Sequence, residues 1–179
     1  MAVRNPDNVL IGGYRVFIVD NSGNSPTKHE LGWMSGEAKI EEQANQLTVK
    51  ESEGGTVLTL ATDKEVHLTF GLLEQNDDTL MMLNPSATAI EGGFAVGTFQ
   101  SDKTFTIELW HKKRSGKYKC IRILKGKVSG NITTFQINQD NESPISIDIV
   151  GLADDTKDTQ HNLYEVIECD AEDAPGGGW

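Results

Sequence analysis

Asp63–Pro85 reads DKEVHLTFGLLEQNDDTLMMLNP, and a change of period inside it decides the fold. Val66, Leu68, Phe70 and Leu72 fall on one parity, while His67, Thr69 and Gly71 fall on the other. That is the two-residue repeat of a strand with one buried face. Beyond Leu73 the repeat lengthens. Asn76 stands where a helix N-cap belongs, Asp77 and Asp78 suit the positive end of a helix dipole, and Leu80 and Leu83 share one helical face. Asn84 before Pro85 ends the helix. A core strand thus runs into one short helix at about 74–84, the only helix the sequence predicts.

Outward from this centre the chain reads as strands and turns. Upstream, Gly32–Ile40, Leu47–Val49 and Val57–Leu60 predict a long hairpin. Its tip, Lys50, Glu51, Ser52, Glu53, Gly54, Gly55 and Thr56, is charged and glycine-rich, so it is expected to project from the body. Before the hairpin, Tyr14–Val19 is a β-rich run closed by the loop signal Asp20–Asn24. Downstream, Ala87–Gly93 reads as a small-residue connection and Gly93–Gln100 as a strand. Phe105, Ile107 and Leu109 then alternate with Thr106 and Glu108, and Tyr118–Leu124 follows across a turn at Arg114–Gly116. Ile132–Ile137 and Ile145–Ile149 continue the series, and Leu163–Ile167 reads as one further strand or a docking segment. The expected class is mainly β, an antiparallel sandwich or partly open barrel with one short helix, a long projecting hairpin and extended termini. Residues 1–8 read as an N-terminal arm, 9–153 as a single β-sandwich domain, and 154–179 as an acidic C-terminal arm.

With 179 residues, 37% of them hydrophobic and 24% charged, one domain can bury a sizeable core without metals or disulfides. Cys120 and Cys169 are far apart in sequence, outside any CxxC pairing, and read as reduced side chains. No apolar run approaches the ~20 residues of a membrane helix, and the N-terminus carries no charged-then-apolar pattern. Cytoplasmic synthesis without a signal peptide or membrane anchor is therefore expected. The net charge of -11 is unevenly placed. Residues 103–127 hold nine basic side chains against Glu108 alone, whereas residues 151–179 hold eight acids against Lys157 alone. Lys112, Lys113, Arg114 and Lys117 are expected to find Asp154, Asp155 and Asp158, within a molecule or between copies.

Signals for chemistry are sparse. His29, His67, His111 and His161 are scattered, with no HExxH, and there is no GxSxG elbow. Gly54 and Gly55 do not make a phosphate loop, and Asp20, Ser22 and Asn24 lack the glutamate that completes a calcium loop. Asp154, Asp155 and Asp158 could hold a hard cation, but solvated tail carboxylates are the better explanation of them. Trp110, His111, Lys112, Lys113 and Arg114 could stack and contact phosphates, yet a pI of 4.7 opposes nucleic-acid binding. The sequence predicts no enzyme and no cofactor.

One ordering of features stands out: a polar N-terminal arm, a long hairpin with the tip Lys50–Thr56, then EVHLTFGLLEQNDDTLMML, a second set of strands and a loose C-terminus. This order resembles the major tail tube proteins of long-tailed bacteriophages. The resemblance implies a structural virion protein of the tail, in which subunits join as hexameric rings, the rings stack, and one sheet of each subunit lines a channel for DNA. It implies that the tip at Lys50–Thr56 reaches the adjacent ring, that the tape measure and tail terminator proteins are further partners, and that DNA passes without sequence-specific binding. The alternative is a carbohydrate-binding or adhesin-like sandwich, which would present Trp33 and Trp110 on a common face.

Overall fold

The structure, a computed structural model, describes residues 10–20, 26–50, 56–98, 103–129, 136–137, 143–159 and 161–170. Along the chain these form β1 (Leu10–Asp20), β2 (Thr27–Glu30), β3 (Met34–Lys50), β4 (Thr56–Leu72), α1 (Asp77–Leu83), β5 (Ala87–Ile90), β6 (Gly93–Val96), β7 (Phe105–Lys113), β8 (Tyr118–Val128), β9 (Ile145–Leu152) and β10 (Tyr164–Cys169). β5 and β6 pair with each other as a separate hairpin. All other strands join one antiparallel sheet in the order β2-β1-β7-β8-β9-β4-β3, with β10 beside β8.

β8 decides how that sheet folds over. Along Tyr118–Ile123 it pairs with β7 and β10, and from Lys125 to Val128 it passes to β9. One layer is therefore β2-β1-β7-β8-β10 and the other β9-β4-β3, a sandwich-like arrangement that does not close into a barrel. The core lies between them. Val16, Ile18, Ile107, Leu109 and Ile123 come from the first layer, and Val66, Leu68, Phe70, Leu72, Ile145, Ile147 and Ile149 from the second. The alternation of Val66–Leu72 is thus the buried parity of β4.

The helix supplies one end of this core. Asn76 Oδ1 accepts from Thr79 N at 2.9 Å, and Asn84 N donates to Leu80 O at 3.0 Å. These caps satisfy groups that a helix end leaves bare. Leu80 and Leu83 are buried in the same cluster as Leu31, and Thr79 Oγ1 donates to Leu31 O at 3.3 Å.

Three elements differ from the sequence expectation. Thr27–Glu30 is a strand although TKHE has no apolar residue; it is an edge strand exposed at all four positions, so it needs no buried parity. Ala87–Ile90, expected as a connection, is β5. Val57–Leu60 and the strand from Asp63 are one element, the 17-residue β4. Of the expected strand Ile132–Ile137, only Gln136 and Ile137 are described, and neither is in a strand. The arm at 1–8 lies outside the described residues.

A glycine pair allows the corner where β8 hands the sheet to β9. Gly126 and Gly151 are register partners. A Cβ at Gly151 would collide with Val66 Cγ1 and lie 2.7 Å from Ile123 Cγ2, and one at Gly126 would lie 3.0 Å from Ile149 Cγ2. Side chains here would wedge the two layers apart. Gly151→Ala is expected to cost about 1–3 kcal/mol in urea unfolding, whereas Gly13→Ala, with nothing within 4 Å of the added carbon, should leave the midpoint within a few tenths of a molar.

Candidate interaction surface

β4 outruns its neighbours. It pairs with β3 from Thr56 to Leu72 but with β9 only from Val66 to Leu72. The ten residues Thr56–Glu65 and the β3 residues opposite them thus form a two-stranded ribbon beyond the sandwich, ~33 Å long at the usual strand rise. A ribbon of two strands is marginal in water unless something covers a face. Its backbone register sets Leu47 opposite Leu60 and Val49 opposite Leu58. The root is fixed to the body. Glu42 ion-pairs with Lys64 and accepts from the Tyr164 hydroxyl; Lys64 first, then Tyr164, hold its carboxyl below the usual range. Of the tip singled out in the sequence, Lys50 and Thr56 are register partners, and Glu51, Ser52, Glu53, Gly54 and Gly55 lie outside the described residues.

The margins of the layers are open as well. Among the described residues β2 pairs only with β1, β10 only with β8, and β3 only with β4. Unpaired backbone donors and acceptors along such margins are a template for another strand.

The face of the first layer turned away from the core carries charge and apolar surface together. Glu30, Phe17, Glu108, Arg122 and Glu165 lie in register across β2, β1, β7, β8 and β10. Glu108 is 1% exposed and accepts from Trp110 Nε1 at 2.8 Å, Arg122 Nε at 2.9 Å and Lys28 Nζ at 2.8 Å. Arg122 also reaches Glu165 at 3.0 Å, and Arg15 ion-pairs with Glu30. Burial pushes the Glu108 carboxyl up, but the bonds from Lys28, Trp110 and Arg122 together outweigh it and hold it below its ordinary range. Beside this row Phe17, Trp110, Tyr118 and Cys120 form a second apolar cluster. A cation lies over each ring: Arg15 over Phe17 and Lys28 over Trp110 at 5.1 Å, and Lys112 over Tyr118 at 5.8 Å. Burial pushes the Cys120 thiol up to about 12, which makes it a packing group at neutral pH.

The basic hairpin and the acidic segment meet within one chain, chiefly through acids of β10 and the residue after it. Lys113 pairs with Glu168 at 2.6 Å, and Lys117 lies 4.0 Å from Glu168 and 3.8 Å from Asp170. Arg114 is exposed in the turn, and Lys112 lies over Tyr118. The three expected acids sit apart from that cluster. Asp155 is 3.9 Å from Lys125, Asp154 accepts from Thr156 N and Oγ1 within its own turn, and the Asp158 carbonyl accepts from His161 N. What brings acids to the basic hairpin is the antiparallel register of β10, which sets Glu165 opposite Arg122 and Glu168 opposite Lys119. Segment charge alone could not reveal that register.

Two clefts remain. One of about 730 Å³ lies between Glu42, Lys64 and Glu65 at the ribbon root and His161, Asn162 and Tyr164. Another of about 400 Å³ lies among Lys28, Arg122, Lys157, Asp154 and Glu165, with Glu108 in its wall. Among the described residues no three His, Cys, Asp or Glu side chains gather as metal ligands, and no helix is long and apolar enough to cross a membrane. Trp33 is 77% exposed and Trp110 4%, so the two do not form a shared aromatic platform. No protein-family model matches the chain, and no curated protein matches it.

Glu108→Gln tests the buried row. Because the carboxyl titrates below its unfolded value, its contribution is present above about pH 4.3 and is lost as pH falls through the lower folded value. At pH 7 the variant should lose about 3 kcal/mol in urea unfolding. The gap to wild type should close in strong acid; a gap independent of pH would overturn the assignment.

Proposed function

We propose that this chain is a structural tail tube subunit of a bacteriophage, assembling into stacked, hexameric rings around a DNA-conducting channel. The observation that carries this reading is β4, which among the described residues leaves the sandwich with β3 as its sole partner for ten residues. A monomer gains little by extending a marginal ribbon into water. A subunit whose neighbour covers that ribbon recovers apolar and backbone interactions that it cannot make alone.

The open margins support the lateral part. β2 and β10 bound the same layer, each paired on one side alone among the described residues. Joining β10 of one copy to β2 of the next would extend the layer around a ring and leave neither edge of that layer unpaired. The net charge of -11 suits a conduit, since a surplus of carboxylates repels the phosphates of passing DNA. Tape measure and tail terminator proteins are the partners such a tube requires inside and at its end.

The test is assembly. Concentrated protein should form rings and short tubes in negative-stain micrographs. Replacing residues 46–60 with Asn-Gly should leave circular dichroism and melting temperature nearly unchanged, because the sandwich keeps every pair from Val66 to Leu72, while stacking is lost. Wild-type protein that stays monomeric at all concentrations and salt conditions would refute the reading.

A further inference from the structure

Lys157 is the one lysine or arginine in residues 151–179, and it faces residues from other parts of the chain. The turn after β9 places it. Asp154 Oδ1 accepts from Thr156 N at 3.1 Å and from Thr156 Oγ1 at 2.7 Å, and Lys157 N donates to Asp154 O at 3.0 Å. This turn brings Lys157 to the wall of the cleft of about 400 Å³. Lys28 of β2 and Arg122 of β8 line the same cleft. Three cations from three separate elements thus converge in a chain whose net charge is -11.

The lining also holds the carboxylates of Glu108, Asp154 and Glu165, so the sum of charges selects no ligand. Hydrogen bonding does. Glu108 is met by Lys28, Trp110 and Arg122, Glu165 by Arg122 Nη1, and Asp154 by Thr156. The donors are not used up. Among the described residues Arg122 Nη2 has no acceptor, Lys28 gives Glu108 only one of its ammonium protons, and the Lys157 ammonium makes no hydrogen bond or ion pair. We infer that this cleft binds a small oxyanion of the phosphate class, held by Lys28, Arg122 and Lys157.

A phosphoryl group presents three strong acceptor oxygens, which guanidinium and ammonium donors meet with charge-assisted bonds. A cation would find every carboxylate of the lining already bonded. Glu108 serves as a positioning group: at 1% exposure it fixes Lys28 and Arg122 from behind, so both are in place before an anion arrives. Val19, Pro26 and Leu124 supply the apolar part of the wall. A cleft of this size admits a free ion or a terminal phosphoryl group, not a duplex. The inference is independent of the tail tube reading, because ring assembly requires nothing of the cleft. A bound anion would tie the turn after β9 to β2 and β8 and so stabilise the folded chain by mass action.

Melting in sodium phosphate against sodium chloride of equal ionic strength, with calorimetric titration of inorganic phosphate, tests it. Phosphate should raise the wild-type midpoint about 2–4 °C above the chloride value. Lys157 is exposed, so Lys157→Gln should keep the chloride midpoint and bind phosphate at least about tenfold more weakly. Lys125→Gln removes the same charge outside the cleft, where Lys125 lies 3.9 Å from Asp155, and should respond to phosphate as wild type does. Equal midpoints in the two salts, or a Lys157→Gln chain that responds like wild type, overturns the inference. So does a duplex oligonucleotide that raises the midpoint as far as inorganic phosphate, since that reports polyanion binding across the surface. None of these outcomes bears on ring assembly.

Discussion

One constraint organises the molecule: among the described residues β4 is flanked on both sides for only seven of its 17 residues. Where β9 lies beside it, Val66, Leu68, Phe70 and Leu72 point into the core and their burial stabilises the sandwich. Where β9 stops, the strand continues with β3 alone. Core and ribbon therefore share one continuous strand, and the register of its partner β3 is interrupted between Ala44 and Gln46, just beyond the sandwich. Glu42, Lys64 and Tyr164 brace the point of exit.

The other layer is governed by a balance of opposite sign. β7 buries both parities: Ile107 and Leu109 face the core, and Glu108 and Trp110 face away from it. Burying a carboxylate costs several kcal/mol unless donors meet it, and Glu108 has three. Arg122 and Lys28 shield it, their stems cover apolar surface, and Arg122 continues to Glu165 on β10. The row ties five strands together across their length, including the margin strand β10. That makes the layer stiff without closing either margin.

How far the sequence reveals this follows from which contacts leave a periodic trace. Val66–Leu72 alternates because one face meets the core and the other meets water, and Asn76, Asp77, Asp78 and Asn84 mark the helix because caps act locally. β2 leaves no trace, since an exposed edge strand can have any polar sequence. The opposition of Glu165 and Glu168 to Arg122 and Lys119 depends on register between strands far apart in the chain. Trp33 is legible only as a tryptophan. Its backbone is set by the Gly32 turn and by Glu74, which is 41 residues from Trp33 and accepts from its N–H, and no spacing rule joins them.

Charge placement finally separates what folds the subunit from what joins it to others. The basic run at 103–127 and the acidic run after 151 meet in part, through Lys113, Lys117, Arg122 and Lys125 against Glu165, Glu168, Asp170 and Asp155. Charges already paired within a chain have little attraction left for a neighbour, and at physiological salt the remainder fades within about 8 Å. Among the described residues, what is left open is of another kind: the outer backbone groups of β2, β3 and β10 and the exposed indole of Trp33. Interactions of such groups are short-ranged and directional, so in the proposed tube they would fix how copies meet, while the net negative charge would keep free copies apart until concentration brings them into contact.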